Sequence, residues 1–176
     1  FWVSVKKVVI GSTLQMLMTI LMAYPLSKSR RIFPARGHYM RVIIVCMLFS
    51  GGTIPWYLVI KMLGLIDSFW ALVLPGCVNI SNTIIMMNFF KGLPPSMAES
   101  AAIDGATPLT TLFRIYVPLS TPSIATLSLF TIVGHWNGYF DGMILINDPK
   151  KMPLQTYIQS LVADISNKIN SMTPEE

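Results

Sequence analysis

The chain has 176 residues, of which 53% are hydrophobic and only 12% are charged. Soluble domains usually have about a quarter of their residues charged, so this composition excludes an ordinary soluble domain and indicates an integral membrane protein. The net charge of +5 does not indicate a nucleic-acid partner, because basic residues beside membrane spans usually set the orientation of the chain.

Four apolar segments are long enough to cross a bilayer, which takes about 20 helical residues. They are residues 3–24, 42–60, 69–90 and 123–140. Breakers such as Gly51, Pro55 and Pro75 interrupt the second and third segments, which predicts kinked helices packed in a bundle. The sequence therefore predicts an all-α polytopic membrane protein with a single domain over the whole chain (residues 1–176).

The loops predict the orientation of these spans. Residues 25–41 contain basic side chains and no acidic ones, so this short loop is predicted to be cytoplasmic. Alternation then places residues 91–122 inside and residues 141–176 outside, with Lys6 and Lys7 at the outer edge of the first span. Residues 154–165 have helical spacing but are too polar to cross, which predicts a helix on the outer surface.

Residues 93–122 are the longest interval between apolar segments that still has the pattern of ordered structure. Pro94 and the proline after it end the preceding helix. Ser96 and Glu99 have the spacing of a capping box, which predicts a short helix capped by Ser96, with Glu99 reaching back to the cap. Gly105 is expected to close this helix, because glycine adopts the left-handed conformation found just past a helix end.

A second helix is predicted to follow, with Thr107 as its N-cap and Pro108 at its first position. Pro118 is expected to stop it. Apolar residues at helical spacing predict one apolar face: Leu109, Leu112, Phe113, Tyr116 and Val117. An apolar face outside the bilayer is expected to be covered, so the helical pair is predicted to contact a partner.

The sequence has neither the phosphate-binding pattern G-x-x-x-x-G-K-[ST] nor the nucleophile pattern G-x-S-x-G, so neither an enzyme nor a bound cofactor is predicted. His38 and His135 lie far apart without nearby Cys or carboxylate partners. They are predicted to be packing or interfacial residues rather than metal ligands. A DNA-binding helix-turn-helix is excluded, because Arg114 is the only basic residue in the helical pair.

The predicted spans contain no charged side chain once Lys6 and Lys7 are placed at the edge, which argues against a proton-coupled carrier. Neutral polar residues do occur in the third span, where Asn79, Asn82 and Thr83 share helical spacing. Hydrogen bonding between helices is the favoured interpretation of these residues. A lining for a polar solute is the alternative, and it makes them a candidate solute path.

The helical pair resembles the E-A-A-x3-G-x9-I-x-L-P loop of ABC importer permeases. The matching residues are Glu99-Ser100-Ala101, Gly105 and Ile115-Tyr116-Val117-Pro118. Ser100 stands where the family usually has Ala, and Val117 where it usually has Leu. Stretches over most of the chain resemble the carbohydrate-importer branch, including AYPLS at 23–27 and the residues around Trp136. Residues 153–159 are similar to permeases for complex oligosaccharides.

This resemblance implies the helical bundle of MetI-like permeases and a permease subunit that moves a sugar across the cytoplasmic membrane of a prokaryote. In that family the loop forms a coupling helix that docks on a separate cytoplasmic ATPase. Carried over, the docking element is residues 96–117, and the docking residues are Glu99, Ser100, Ala101, Gly105, Ala106, Ile115 and Pro118. The family core has six spans, so the chain is expected to be a fragment without the first and the last.

The implied partners are the ATPase, a second homologous permease subunit, an extracytoplasmic solute-binding protein, the sugar and membrane lipid. Two other functions compete with the importer. An ion-coupled secondary transporter needs a coupling-ion site, for which Asn79 and Asn82 are candidates. A membrane scaffold that transports nothing is the other.

Overall fold

A computed structural model of the protein describes residues 1–49 and 51–172. Within these ranges the regular structure is helical. The α-helices are α1 (Trp2–Ser27), α2 (Arg36–Leu48), α3 (Thr53–Met62), α4 (Ile80–Lys91), α5 (Pro95–Ile103), α6 (Pro108–Thr111), α7 (Val117–Leu119), α8 (Thr121–Asn137), α9 (Phe140–Leu145) and α10 (Leu154–Met172). Short 3-10 helices at Phe69–Leu72, Leu74–Gly76 and Pro149–Lys151 and a π-helical turn at Leu112–Tyr116 join them.

The described residues include one helix, α1, that is by itself long and apolar enough to cross a membrane. Three pairs of consecutive helices also pass the length and composition test if each bent pair is a single span. These pairs are α2 with α3, Phe69–Gly76 with α4, and Pro108–Leu119 with α8. The described part of the chain thus has one to four segments that are long and apolar enough to cross a membrane, and the predicted count of four stays a prediction.

The second and third apolar segments are broken at glycine and proline residues, as the sequence predicts. Gly52 has a φ of +80°, a left-handed conformation that glycine adopts without steric cost, and it is the N-cap of α3. Pro75 lies in the 3-10 turn Leu74–Gly76 just before α4. Helix α4 then begins at an N-cap, Asn79, whose side chain accepts a hydrogen bond from the N–H of Asn82 at 3.0 Å.

The chain divides into two compact units. The first consists of Phe1–Ser12, Gly51–Gly76 and Ile132–Glu176, and the second of Thr13–Ser50 and Cys77–Thr131. The second unit has the larger core, in which apolar side chains of α1, α2, α4, the π turn and α8 pack together. These are Met16, Ile20, Ala23, Leu26, Ile43, Met86, Met87, Phe90, Leu112, Tyr116 and Leu127.

In the first unit, Asp67 connects the loop after α3 with the loop after α9. Its backbone N–H donates to the carbonyl oxygen of Leu145 at 2.8 Å. Its carboxylate accepts the backbone N–H groups of Asn147 at 3.1 Å and Asp148 at 3.2 Å. A φ of +62° at Asp67 aims the side chain at these donors. One side chain therefore satisfies several backbone groups that a loop would otherwise leave to water.

Candidate functional site

The candidate site is the helical pair formed by α5 to α7, and its first helix begins differently from the prediction. Helix α5 starts at Pro95, its N-cap is Pro94, and no side chain makes a hydrogen bond to the cap. The predicted capping box of Ser96 and Glu99 is therefore wrong. The reason is that proline has a fixed φ and no N–H, which suits the first helical position and moves the helix start ahead of Ser96.

The turn between the two helices is the one that the sequence predicts. Gly105 has a φ of +75°, and its N–H donates to the carbonyl oxygen of Ala102 at 3.1 Å. The N–H of Ala106 donates to the carbonyl oxygen of Ala101 at 2.9 Å. This pair of bonds is the Schellman arrangement, which closes a helix with a left-handed glycine.

The second helix starts as predicted but does not run as predicted. The side chain of Thr107 accepts a hydrogen bond from the N–H of Thr110 at 3.2 Å, so Thr107 is the N-cap, and Pro108 is in the first turn. A π-helical turn at Leu112–Tyr116 then widens the helix. Pro118 does not stop it, because the turn leaves Pro118 in the first turn of α7, where its missing N–H costs no helical hydrogen bond.

The π turn also changes the predicted apolar face. A regular helix would place all five apolar residues on one side. In the structure Leu112 and Tyr116 are buried, at 1% and 6% exposure, whereas Leu109 and Phe113 are 61% and 48% exposed. The single face of the prediction is thus replaced by a buried side and an exposed apolar side. π turns of this kind are frequent at functional sites.

The structure brings five of the seven predicted docking residues around one cleft of about 780 Å³. These are Ser100, Ala101, Ala106, Ile115 and Pro118. Gly105 forms the turn beside it and is exposed. Ala101 is buried. Its carbonyl oxygen accepts the hydrogen bond from the N–H of Ala106 that closes α5. The cleft lies between the two helices of the pair.

Glu99 lies on a different side of α5. It is exposed and lines a second cavity of about 390 Å³ together with Lys28, Phe90, Lys91 and Tyr116. Since Glu99 makes no cap, its carboxylate is available at the surface of the pair. The two sides of α5 therefore differ: one faces an apolar cleft and the other a cavity with basic and aromatic walls.

Exposed apolar side chains surround this pair, and the sequence reasoning missed two of them. Ile103 at the end of α5 is 87% exposed, and Met97 is 40% exposed. Both lie on a short Ala-rich helix whose few apolar residues carry no periodic signal. Only the folded structure shows that both side chains are exposed.

The second helix of the pair runs in a different direction from α8. The axis of Pro108–Leu119 is bent by 83° from that of α8. If α8 crosses a membrane, the segment before it runs along the membrane surface.

The candidate solute-path residues Asn79, Asn82 and Thr83 all make hydrogen bonds within the protein. Asn79 caps α4, and the hydroxyl of Thr83 donates to its carbonyl oxygen at 2.8 Å. The amide nitrogen of Asn82 donates to the hydroxyl of Thr131 on α8 at 3.3 Å. The last bond joins two helices, as the packing interpretation predicts. A role in the solute path stays a prediction.

The two histidines have different surroundings. His38 is exposed, whereas the ring of His135 lies against α1, so close that a Cβ added to Gly11 would come within 2.9 Å of its Cε1. Among residues 1–49 and 51–172, no three His, Cys, Asp or Glu side chains are grouped closely enough to hold a metal ion.

A helical chain with a membrane-length first helix, and with further bent helix pairs that pass the same length and composition test, is typical of a membrane protein. The chain belongs to the family of binding-protein-dependent transport system inner membrane components, whose model matches residues 10–172. It has the all-α membrane fold of the MetI-like ABC importer permeases. This confirms the predicted fold class and the predicted family.

Several proteins are similar to the chain over most of its length. It is 48% identical to the polygalacturonan/rhamnogalacturonan transport system permease protein YtcP of Bacillus subtilis (strain 168) over 160 residues, covering 91% of this chain and 55% of that protein. It is 44% identical to protein LplC of the same organism, covering 99% of this chain and 60% of that protein.

A solved structure shows the same fold. It is a bacterial ABC transporter involved in the import of the acidic polysaccharide alginate, with a TM-score of 0.83 and 31% identity, covering 100% of this chain and 61% of the matched chain. The chain therefore spans a little over half the length of the relatives that it matches.

Proposed function

We propose that the chain is part of the transmembrane permease subunit of an ABC importer that translocates a sugar or oligosaccharide across the cytoplasmic membrane of a prokaryote. A separate ATPase supplies the energy by docking on the helical pair within residues 96–117. The observation that carries this proposal is the set of exposed apolar side chains on that pair, above all Ile103, which lies within the motif that begins at Glu99. Family membership supports the class of function, and the exposed side chains support the contact.

The proposed topology has four crossings, at about residues 3–24, 42–60, 69–90 and 123–140. Residues 91–122 lie in the cytoplasm, and residues 141–176 lie outside. The basic loop at residues 25–41 supports this orientation, because it is short and lies between two of the apolar segments. The near-perpendicular bend before α8 supports a surface position for the helical pair.

The proposed partners are a cytoplasmic ATPase, a second homologous permease subunit and an extracytoplasmic solute-binding protein. The substrate class follows from the names of relatives. YtcP is named for polygalacturonan and rhamnogalacturonan, and the solved structure is named for import of the acidic polysaccharide alginate. Acidic oligosaccharides are therefore the first solutes to test.

The test uses the full-length permease with its partner subunits in proteoliposomes, with ATP enclosed on the ATPase side and the solute-binding protein on the other. Uptake of labelled oligogalacturonides is compared with uptake of a neutral oligosaccharide of equal length. The proposal expects uptake that needs both ATP and the binding protein. Uptake that persists on an ion gradient without ATP supports a secondary transporter instead, and the absence of both uptake and stimulated ATP hydrolysis supports a scaffold.

Glu99→Lys is the variant that links this activity to the helical pair. Reversal of an exposed charge on α5 leaves the core of the unit untouched, so insertion in the membrane is expected to be normal. ATPase association and uptake are both expected to fall. Normal association and uptake in an inserted Glu99→Lys protein would contradict the proposed docking site.

A further inference from the structure

A cluster of one lysine and three aromatic rings lies beside the helical pair, within the second unit. It consists of Tyr24 and Lys28 at the end of α1, Phe90 at the end of α4, and Tyr116 in the π turn. The Nζ of Lys28 donates a hydrogen bond to the hydroxyl of Tyr116 at 2.7 Å. The same nitrogen lies 4.0 Å from the ring centroid of Tyr116 and 4.4 Å from that of Tyr24. We call these four residues the aromatic box.

The rings of the box hold one another in edge-to-face contacts. The centroids of Tyr24 and Tyr116 are 5.1 Å apart at 81°, and those of Phe90 and Tyr116 are 5.5 Å apart at 85°. Phe90 and Tyr116 are 2% and 6% exposed. Both geometry and burial favour strong ring–ring and cation–ring attraction. Tyr116 contacts each of the other three members, through its ring contacts with Tyr24 and Phe90 and its hydrogen bond from Lys28, so it is the centre of the box.

Tyr116 lies in the π turn and faces the core. Leu112, which begins the same turn, is buried with it, whereas Leu109 and Phe113 are exposed. In the core Tyr116 meets side chains of α1 and α4. The π turn thus contains a contact between the helical pair and the end of a membrane-length helix.

We infer that Lys28 and Tyr116 are positioning residues that transmit movement of the helical pair to α1. This inference rests on the proposed function, since it concerns how a docked ATPase moves the transmembrane helices. The cavity of about 390 Å³ supports it, because Lys28 and Tyr116 share that cavity with Glu99 and Ala102 on α5. Side chains of α5 and of the box therefore face the same space, and in this proposal a displacement of α5 reaches the box across it. A rigid link is needed for such coupling, and a charged hydrogen bond between packed rings supplies it.

The experiment measures three quantities for the reconstituted full-length importer: the amount of ATPase that co-purifies, the ATP hydrolysis stimulated by the binding protein, and uptake per ATP hydrolysed. Tyr116→Phe removes only the hydroxyl, and Lys28→Met removes the charge together with the hydrogen-bond donor. Both variants are expected to keep the ATPase bound and to lower uptake per ATP by about 5- to 10-fold, within the range of typical coupling effects. Lys28→Arg keeps a cation and a donor and is expected to stay within about 2-fold of wild type.

Lys91→Met is the matched control. Lys91 lines the same cavity but is exposed, and its loss is expected to leave all three quantities unchanged. Unchanged uptake per ATP in both Tyr116→Phe and Lys28→Met overturns the inference, as does a Lys28→Arg protein as defective as Lys28→Met. Loss of the bound ATPase in either variant also overturns it, because the box would then act in docking. Failure of the proposed function itself is seen separately, as absent uptake in the wild-type importer.

Discussion

The side chain of Lys7 donates a hydrogen bond to the carbonyl oxygen of Gly138 at 2.8 Å. Lys7 is only 2% exposed, and Gly138 directly follows the last residue of α8. The ammonium group therefore satisfies a carbonyl near the C-terminus of a helix, where the helix dipole favours a positive charge. The sequence places both Lys6 and Lys7 at the outer edge of the first span, and the structure shows that the two differ: Lys6 is exposed and Lys7 is enclosed.

Lys7→Met is expected to destabilise the protein by about 1–3 kcal/mol, because the carbonyl of Gly138 keeps its burial and loses its donor. Thermal unfolding of the purified full-length permease in detergent measures the effect. Lys6→Met is the control, and as a surface change it is expected to shift stability by less than about 0.5 kcal/mol. Equal effects of the two substitutions would show that the bond to Gly138 contributes nothing.

Asp67 makes the stability of the loops after α3 and α9 depend on pH. The backbone N–H of Asp148, followed by that of Asn147 and the charge of Lys151, holds the pKa of Asp67 below its ordinary value. A carboxyl group with a lowered pKa in the folded state stabilises the fold above its unfolded pKa of about 3.9. That contribution is lost as the pH falls through the lower pKa of the folded state.

The comparison of wild type with Asp67→Asn isolates this effect. Asparagine also tolerates the φ of +62° at this position, so the backbone is retained and only the charge is removed. The difference in unfolding temperature between the two proteins is expected to be largest near pH 6 and to shrink by about pH 3. A difference that stays constant over this range would contradict the assignment to the Asp67 carboxylate.

Gly105→Ala is expected to cost about 1–2 kcal/mol, because an L-residue at a φ of +75° is strained. The cost is one of backbone conformation alone, since an added Cβ has nothing within 4 Å. Gly134→Ala is the matched control: its added Cβ also meets nothing, but Gly134 lies in helix α8, where Ala is preferred. Unfolding midpoints of the two variants should therefore move in opposite directions, and a shared direction would contradict this account.

The bond between Asn82 and Thr131 separates helix packing from solute binding. If packing is its role, Asn82→Ala and Thr131→Val each lower stability, and a double-mutant cycle gives a coupling of about 0.6 kcal/mol. The KM for the transported solute is then unchanged in both variants. A raised KM in Asn82→Ala without the stability coupling would instead place Asn82 in the solute path.

The parts of the site that were predicted correctly depend on residues close together in sequence. Gly105 and Thr107 act on backbone groups a few residues away, so turn and cap chemistry predicts their roles. The capping box failed because Pro95 competes with Ser96 for the helix start, and two local signals then disagree. All-α fold class also follows from sequence, because long apolar segments in a membrane have few alternatives.

The remaining features depend on contacts between distant parts of the chain. The bond from Lys28 to Tyr116 spans 88 residues, and the bond from Asp67 to Asp148 spans 81. No local pattern in the sequence predicts the π turn at Leu112–Tyr116, within which Tyr116 packs against side chains of α1 and α4. The exposure of Ile103 likewise depends on where the rest of the unit packs.

The central claim, that an ATPase docks on the helical pair, is tested most directly by comparing Ile103→Glu with Met62→Glu. Both side chains are 87% exposed, but Ile103 lies at the end of α5 and Met62 at the end of α3. In the proposed topology the second crossing (residues 42–60) starts from the cytoplasmic loop at residues 25–41, which places Met62 on the other side of the membrane. The measurement is the amount of ATPase that co-purifies with each full-length permease variant. Ile103→Glu is predicted to reduce it by about 10-fold or more, as a charge at the centre of an apolar contact does, while Met62→Glu retains it. Equal retention of the ATPase by the two variants would contradict docking at this surface.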